Sequence, residues 1–246
     1  MNNTSPLQKN EIYLGDCLGL MPRITSGSID MILCDLPYGV IGDVRILFEP
    51  LWKQYKRIIK ENGAIVLFGS QPFTTDLINS NRKWFKYELI WNKLCGSPSF
   101  NLAKKAPLKS HENILVFCKT QTEYNPLFQI KDAKNFRRVE SKTSLEHFYR
   151  GKIYPRSVIS ISSQKGELNN AVRLHPSQKP VLLCQWLIET YTSKDELVLD
   201  NCIGSGTTAV ACIRSKRNFI GIEIDKKHFE IAQERVEIEK IKYGIK

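Results

Sequence analysis

The chain has 246 residues, 42% of them hydrophobic, with 36 Lys and Arg against 25 Asp and Glu. That length and apolar content suit one large α/β domain with an insertion, or two modest domains, and exclude disorder of the bulk. Seven cysteines without a C-x-x-C pair argue against a disulfide framework or a metal site; no apolar run approaches the ~18 residues that span a bilayer, and the polar N-terminus is unlike a signal peptide, so a reducing, cytoplasmic protein without membrane contact is expected.

In chain order, residues 1–10 read as a tail. Residues 12–14 form a short strand that ends at Gly15-Asp16, and residues 29–34 a buried strand that ends at Asp35. A helix over residues 48–59 stops at Glu61-Asn62-Gly63, and residues 64–68 form a continuous apolar strand broken by Gly69-Ser70-Gln71-Pro72. Residues 88–91 and 114–117 read as a strand pair. Regular pattern fades over residues 119–173, the expected substrate-reading insertion. It resumes at Pro180, a good first helical residue, with an apolar helix to Tyr191. A strand over 197–199, a helix over 207–215 and a strand over 219–222 follow, ending at Glu223. The last helix, residues 226–242, carries Phe229, Ala232 and Val236 on one face. Alternating strands and helices predict a mostly parallel sheet covered on both faces. Residues 11–118 and 174–243 then make one discontinuous domain.

The positive charge is localised. Residues 101–180 hold 15 basic and 6 acidic side chains, a net +9, and the rest of the chain holds 21 and 19, a net +2. Basic residues interleaved with Phe128, Phe136, Phe148, Tyr149 and Tyr154 suit a polyanion whose bases can stack on rings.

Two segments carry chemistry. In Asp200-Asn201-Cys202-Ile203-Gly204-Ser205-Gly206-Thr207-Thr208, a carboxylate ends a strand and glycines let the backbone approach a ligand. Glu223 ends the next strand, where it can accept bonds from two ribose hydroxyls. Gly204-x-Gly206-x-x-Ala209 with Glu223 also satisfies the dinucleotide fingerprint, which leaves a nicotinamide-dependent oxidoreductase as one reading. A dinucleotide fold needs further strands after that fingerprint, whereas the chain after Glu223 has room for one helix. The strands that complete the sheet must therefore come from upstream.

The second segment is Asp35-Leu36-Pro37-Tyr38-Gly39. The lone pair of an aromatic amine is delocalised into its ring. Two fixed acceptors, the Asp35 carboxylate and the Leu36 carbonyl, can each take one amine hydrogen and turn that lone pair outward. Pro37 biases Leu36 toward extended backbone, Tyr38 offers a face on which an extruded base stacks, and Gly39 leaves room. A strand-ending Asp before a proline turn is also ordinary in α/β proteins; its company with the glycine loop favours the chemical reading.

With the amine segment preceding the glycine loop, the chain resembles the beta-class DNA amino-methyltransferases, which use S-adenosylmethionine to methylate adenine N6 or cytosine N4. The resemblance spans roughly residues 12–119 and 172–236. It includes His175-Pro176-Ser177-Gln178-Lys179-Pro180, similar to the family's HPxxKP element. It implies a Rossmann-like methyltransferase fold with circularly permuted motif order. It also implies that Asp16, with Cys17 beside it, binds the cofactor's adenine amine, that Glu223 holds the ribose, and that Asp200, Gly204, Gly206, Thr207 and Thr208 surround the methionine portion. Lys179 is then a partner for the methionine carboxylate, or else a solvated lysine before a helix. The family's usual Asp-Pro-Pro-Tyr becomes Asp-Leu-Pro-Tyr here, which keeps the carbonyl and adds an N–H.

Asp and not Ser at position 35 favours adenine N6 over cytosine N4. Lys104 and Lys105, in a segment resembling the border of the family's target-recognition region, are expected to meet phosphate. Arg137, Arg138 and Lys142 in the insertion are expected to contact DNA, and His111 to be a structural hydrogen-bonder. The expected partner is double-stranded DNA, with a homodimer and a cognate restriction endonuclease as further candidates and no metal. A non-catalytic DNA-binding protein of the same fold is the remaining alternative.

Overall fold

The computed structural model describes residues 5–37, 46–94, 103–130, 152–162 and 178–244. Its strands are β1 (Glu11–Leu14), β2 (Ile29–Cys34), β3 (Ile59–Gly69), β4 (Phe85–Asn92), β5 (His111–Phe117), β6 (Gln129–Ile130), β7 (Lys152–Ile153), β8 (Val158–Ser160), β9 (Leu197–Asp200) and β10 (Asn218–Glu223). Its helices are α1 (Cys17–Leu20), α2 (Phe48–Ile58), α3 (Phe73–Ser80), α4 (Val181–Tyr191), α5 (Thr207–Ser215) and α6 (Lys226–Tyr243). Every residue of β2 and β9 is buried, as strands covered on both faces must be.

Eight strands form one sheet in the order β1-β10-β9-β2-β3-β5-β4-β8, while β6 and β7 pair separately. Neighbours from β1 through β3 are all parallel; β5 runs antiparallel to β3 and β4, and β8 is parallel to β4. Side chains alternate between two cores. Met31, Leu33, Val66 and Phe68 pack with α4, α5 and α6, whereas Ile32, Cys34, Ile65 and Leu67 pack with α2 and Leu77 of α3. The expected Phe229, Ala232 and Val236 face of α6 lies on the first of these cores.

Three differences from expectation have physical reasons. Helix α2 ends at Ile58 and turns directly into β3, so Glu61-Asn62-Gly63 lies inside a strand. Ile29 pairs with Ile59 but Met31 with Ala64, which makes these residues a bulge. A Cβ on Gly63 would lie 2.8 Å from the Asp30 carbonyl, so the bulge presses on β2 only because that residue is glycine. Helices α1 and α3 are too short to show a period. Finally, β8 lies within the stretch expected as an insertion yet extends the main sheet, and Trp91 Nε1 donates to the Ile161 carbonyl at 2.8 Å beside it. Residues 131–151 and 163–173 of that stretch lie outside the described residues. Among the described residues no helix is long and apolar enough to cross a membrane.

Candidate active site

Because β1, β10, β9, β2 and β3 are parallel, their carboxyl ends share one rim. Antiparallel β5 brings its first residues there, and β4 its last. In sheet order the rim therefore carries Asp16 after β1, Glu223 on β10, Asp200 on β9, Asp35 after β2, Ser70 after β3, Glu112 on β5 and Lys93 after β4. Ligands of such sheets bind beyond this rim.

The glycine loop is held on several sides. Ile203 N donates to the Ile222 carbonyl at 3.0 Å. The buried Tyr55 hydroxyl on α2 donates to Asn201 Oδ1 at 2.5 Å, and Arg235 on α6 donates to the Ser205 carbonyl at 2.6 Å. Gly206 has φ +82°, and a Cβ there would sit 3.2 Å from Ala232 Cα, so glycine serves both the turn and the close approach of α6. Gly204, at φ +53°, faces open space. Glu223 accepts from Gly204 N at 2.7 Å and Asp225 N at 2.9 Å, one bond per oxygen. A carboxylate offers about four lone-pair sites, so acceptor capacity remains for a ligand. Exposed Ile224 follows Glu223 and adds an apolar side chain at the rim, 71% accessible. Sequence reading missed it because one exposed Ile has no pattern.

Asp200 accepts from Thr208 Oγ1 at 2.6 Å and Cys202 N at 3.1 Å. Burial pushes its carboxyl up to about 7, and the neighbouring Asp35 charge pushes the same way, against those hydrogen bonds. Asp16 caps α1, accepting from Gly19 N at 3.1 Å, and its side chain is exposed at the rim. Cys17 lies against Cys202, and that hydrogen bond together with burial pushes its thiol up. Burial also pushes Cys34 up to about 12. These thiols are neutral packing groups under the rim, with no metal-holding cluster among the described residues. Thr207 is buried at the start of α5.

On the amine side, Asp35 leaves β2 with its side chain 25% exposed, while the Leu36 side chain is buried in the core with α2. That burial accounts for leucine in place of the second-position proline: the position faces the interior, where an alkyl side chain packs well. Pro37 is exposed, and Tyr38 and Gly39 lie outside the described residues. Lys179, just before α4, is 8% exposed. Its Nζ lies 2.5 Å from Asp35 Oδ2, 3.3 Å from Glu112 Oε2 and 5.1 Å from the Phe68 ring centroid. It is thus neither solvated nor, in this structure, directed away from the amine segment. Glu112, which sequence reading passed over, also takes Lys93 Nζ at 2.5 Å. Burial raises its carboxyl, but Lys179 and Lys93 outweigh that and hold it below the usual carboxylate range.

Lys104 and Lys105 are exposed in the segment that leads to β5, in which Lys109 bonds Ser70 Oγ. His111 starts β5 opposite Asn92 and is exposed. Arg137, Arg138, Lys142 and His175 lie outside the described residues.

Residues 29–234 match the N6/N4 methyltransferase family, described as DNA methylase. Type II methyltransferase M.HinfI of Haemophilus influenzae is 27% identical over 92% of this chain and 68% of its own length. DNA adenine methyltransferase YhdJ of Escherichia coli (strain K12) is 26% identical over 92% of this chain and 82% of its own. Among solved structures, the M1.HpyAVI–SAM complex superposes with a TM-score of 0.63 at 25% identity, covering 92% of this chain and 98% of that one. The PvuII DNA methyltransferase (cytosine-N4-specific) superposes with a TM-score of 0.70 at 18% identity, over 98% and 93%, a likeness of fold. The matched span contains both the amine segment and the glycine loop on adjacent strand ends, and the chain belongs to the N6/N4 DNA methylase family.

Proposed function

We propose that this protein methylates adenine N6 in double-stranded DNA, with S-adenosylmethionine as the methyl donor. The observation that carries the reading is the adjacency of β9 and β2, which sets the cofactor-type loop beside Asp35. The cofactor reading is supported by the M1.HpyAVI–SAM complex and by the residues themselves: a buried carboxylate with acceptor capacity at Glu223, a second at Asp200, and open space at Gly204. Glu223 would hold the ribose and Asp16, beside Cys17, the adenine amine; Asp200, Gly204, Gly206, Thr207 and Thr208 would surround the methionine portion. Bound there, S-adenosylmethionine supplies a methyl group already activated on a sulfonium.

The chain's own work is then alignment. Asp35 and the Leu36 carbonyl each accept one hydrogen of the target amine, Pro37 stiffens that turn, and Tyr38 stacks on the extruded base. The proton that the methylated amine sheds goes to Asp35. Adenine is favoured by Asp in place of Ser at position 35, and one relative is itself named an adenine methyltransferase. Incubation of the purified protein with labelled S-adenosylmethionine and duplex DNA, followed by hydrolysis to bases, should yield N6-methyladenine. N4-methylcytosine instead would overturn the adenine assignment, and no label in DNA the whole reading.

Two expected outcomes follow from single features. Asp200, pushed up to about 7 in the folded protein, must ionise to meet a cationic cofactor. Cofactor affinity should therefore rise by up to about tenfold per pH unit toward pH 7 and level off above it. Free of cofactor, the raised carboxyl stabilises the fold below its unfolded value near 4 and loses that contribution as pH rises through about 7. Calorimetric affinities and melting temperatures across that range should run in opposite directions. Separately, Lys104→Ala and Lys105→Ala should weaken binding on every duplex sequence alike. Each should flatten the slope of log affinity against log salt by about 0.9 per lost phosphate contact, read by fluorescence titration. A loss confined to one sequence would assign these lysines to base reading. Arg137, Arg138 and Lys142 are proposed as further DNA contacts, and a homodimer and a cognate endonuclease as partners.

A further inference from the structure

Four charged groups from separate parts of the chain line up in alternating sign at the rim: Lys93 after β4, Glu112 on β5, Lys179 before α4 and Asp35 after β2. The geometry points to Lys179 as a positioning residue for methyl transfer, anchored by Glu112 and acting through Asp35. This rests on the function proposed above and assigns Lys179 a different part from that of a cofactor-carboxylate ligand.

Lysine is a point charge on a flexible stem, and one carboxylate would leave it several rotamers. Here two carboxylates and the face of Phe68 constrain the ammonium, and the side chain is only 8% exposed. Glu112 is fixed in turn, since its residue pairs with Trp91 in the β-ladder and its other oxygen takes Lys93. The chain of contacts thus starts in the sheet and ends on Asp35 Oδ2.

Asp35 needs that support because of what surrounds it. On the β9 side stands Asp200, a like charge that disfavours a second carboxylate; the neutral Cys34 thiol precedes it on its own strand. On the β5 and α4 side stand Glu112 and Lys179, with Lys93 behind. Lys179 is therefore the cation in direct contact with Asp35 among the described residues. A protonated Asp35 would offer an O–H where the amine requires an acceptor. By occupying Oδ2, the ammonium also sets the plane of the carboxylate and hence the direction in which its other oxygen meets the base.

The test uses Lys179→Gln, Lys179→Arg and Glu112→Gln in the full-length protein. Single-turnover methylation at saturating cofactor and DNA is measured across pH, together with calorimetric affinity for S-adenosylmethionine. Lys179→Gln should lower the rate by about 100-fold, the scale of a misplaced catalytic group, and move the acid limb of the rate profile to higher pH. Cofactor affinity should stay within about twofold of wild type, since no contact to the cofactor is lost. Lys179→Arg, which keeps the charge, should recover most of the rate. Glu112→Gln keeps the shape of the side chain but only one acceptor oxygen for the two lysines and no charge, and should cost about tenfold in rate at unchanged affinity.

A Lys179→Gln protein that loses cofactor affinity but keeps the saturated rate and its pH profile would overturn the inference and return Lys179 to the cofactor. Should Lys179→Gln fail to fold, a wild-type rate in Glu112→Gln overturns it just as well. A wild-type protein that transfers no methyl group defeats the proposed function itself, whereas an active wild type with indifferent variants defeats only this inference.

Discussion

Asp35→Ala is expected to lower the rate of methyl transfer by about 10²–10⁴-fold, the range for loss of a positioned acid–base group, while duplex binding persists. The side chain stands at the end of β2, 25% exposed, directly before Leu36, whose carbonyl is the proposed second acceptor. Its removal takes away one of the two proposed acceptors of the amine hydrogens, and it leaves buried Lys179 with one of its two carboxylate contacts, Glu112. A buried cation that loses part of its compensation is costly, so a lower melting temperature should accompany the rate loss. Asp35→Asn separates the two effects: it keeps the side chain's shape and one acceptor oxygen but loses the charge. The rate should fall nearly as far while the DNA affinity, read by titration of an oligonucleotide duplex, stays near wild type. A variant that methylates at the wild-type rate would remove Asp35 from the mechanism. Loss of DNA binding along with rate would make it a folding residue only.

Glu223→Ala should weaken S-adenosylmethionine binding by about 10- to 100-fold, because hydrogen bonds to a charged group contribute about 1.5–3 kcal/mol. Two consequences combine here. The carboxylate that would meet the ribose is gone, and so is the acceptor that holds Gly204 N at 2.7 Å and Asp225 N at 2.9 Å. The second loss loosens the glycine loop where it approaches the ligand, and it leaves two backbone donors seeking partners, so the cofactor-free protein should also melt earlier. Glu223→Gln keeps one acceptor oxygen and should fall between. Calorimetry with S-adenosylmethionine, and with NAD as the competing ligand, reads the affinity. Tight NAD binding that depends on Glu223 would favour the oxidoreductase reading of the glycine loop.

Much of the frame is legible without coordinates, because it rests on local pattern. A mostly apolar run at residues 29–34, interrupted by Asp30, and a continuous one at 64–68 specify buried strands, and they lie at the centre of the sheet. The order of Asp35 before Asp200 implies a sheet completed from upstream, and β9 indeed lies between β10 and β2. Local pattern misled where long-range pairing won. Glu61-Asn62-Gly63 has the composition of a helix stop and turn, but pairing of Ile59 with Ile29 and of Ala64 with Met31 draws it into β3 as a bulge. Val158 and its neighbours sit in a stretch without clear period, and the backbone of β4, not their own composition, makes them a strand.

What the sequence determined by itself is the set of strand-end carboxylates, Asp16, Asp35, Asp200 and Glu223, and the glycines between two of them, since each follows an apolar run that names its own position. Which of these groups meet was decided only by the tertiary structure. Lys179 reads as a partner for the cofactor's carboxylate or as a solvated lysine before a helix, and Glu112 receives no role of its own. Lys179 meets Asp35 from just before α4, and Glu112 reaches Lys179 because β5 runs antiparallel to β3 and so delivers its first residues to the rim where the parallel strands end. Burial at that rim then makes the contact matter, since a charge removed from water must find its partner in the fold and cannot leave it to solvent.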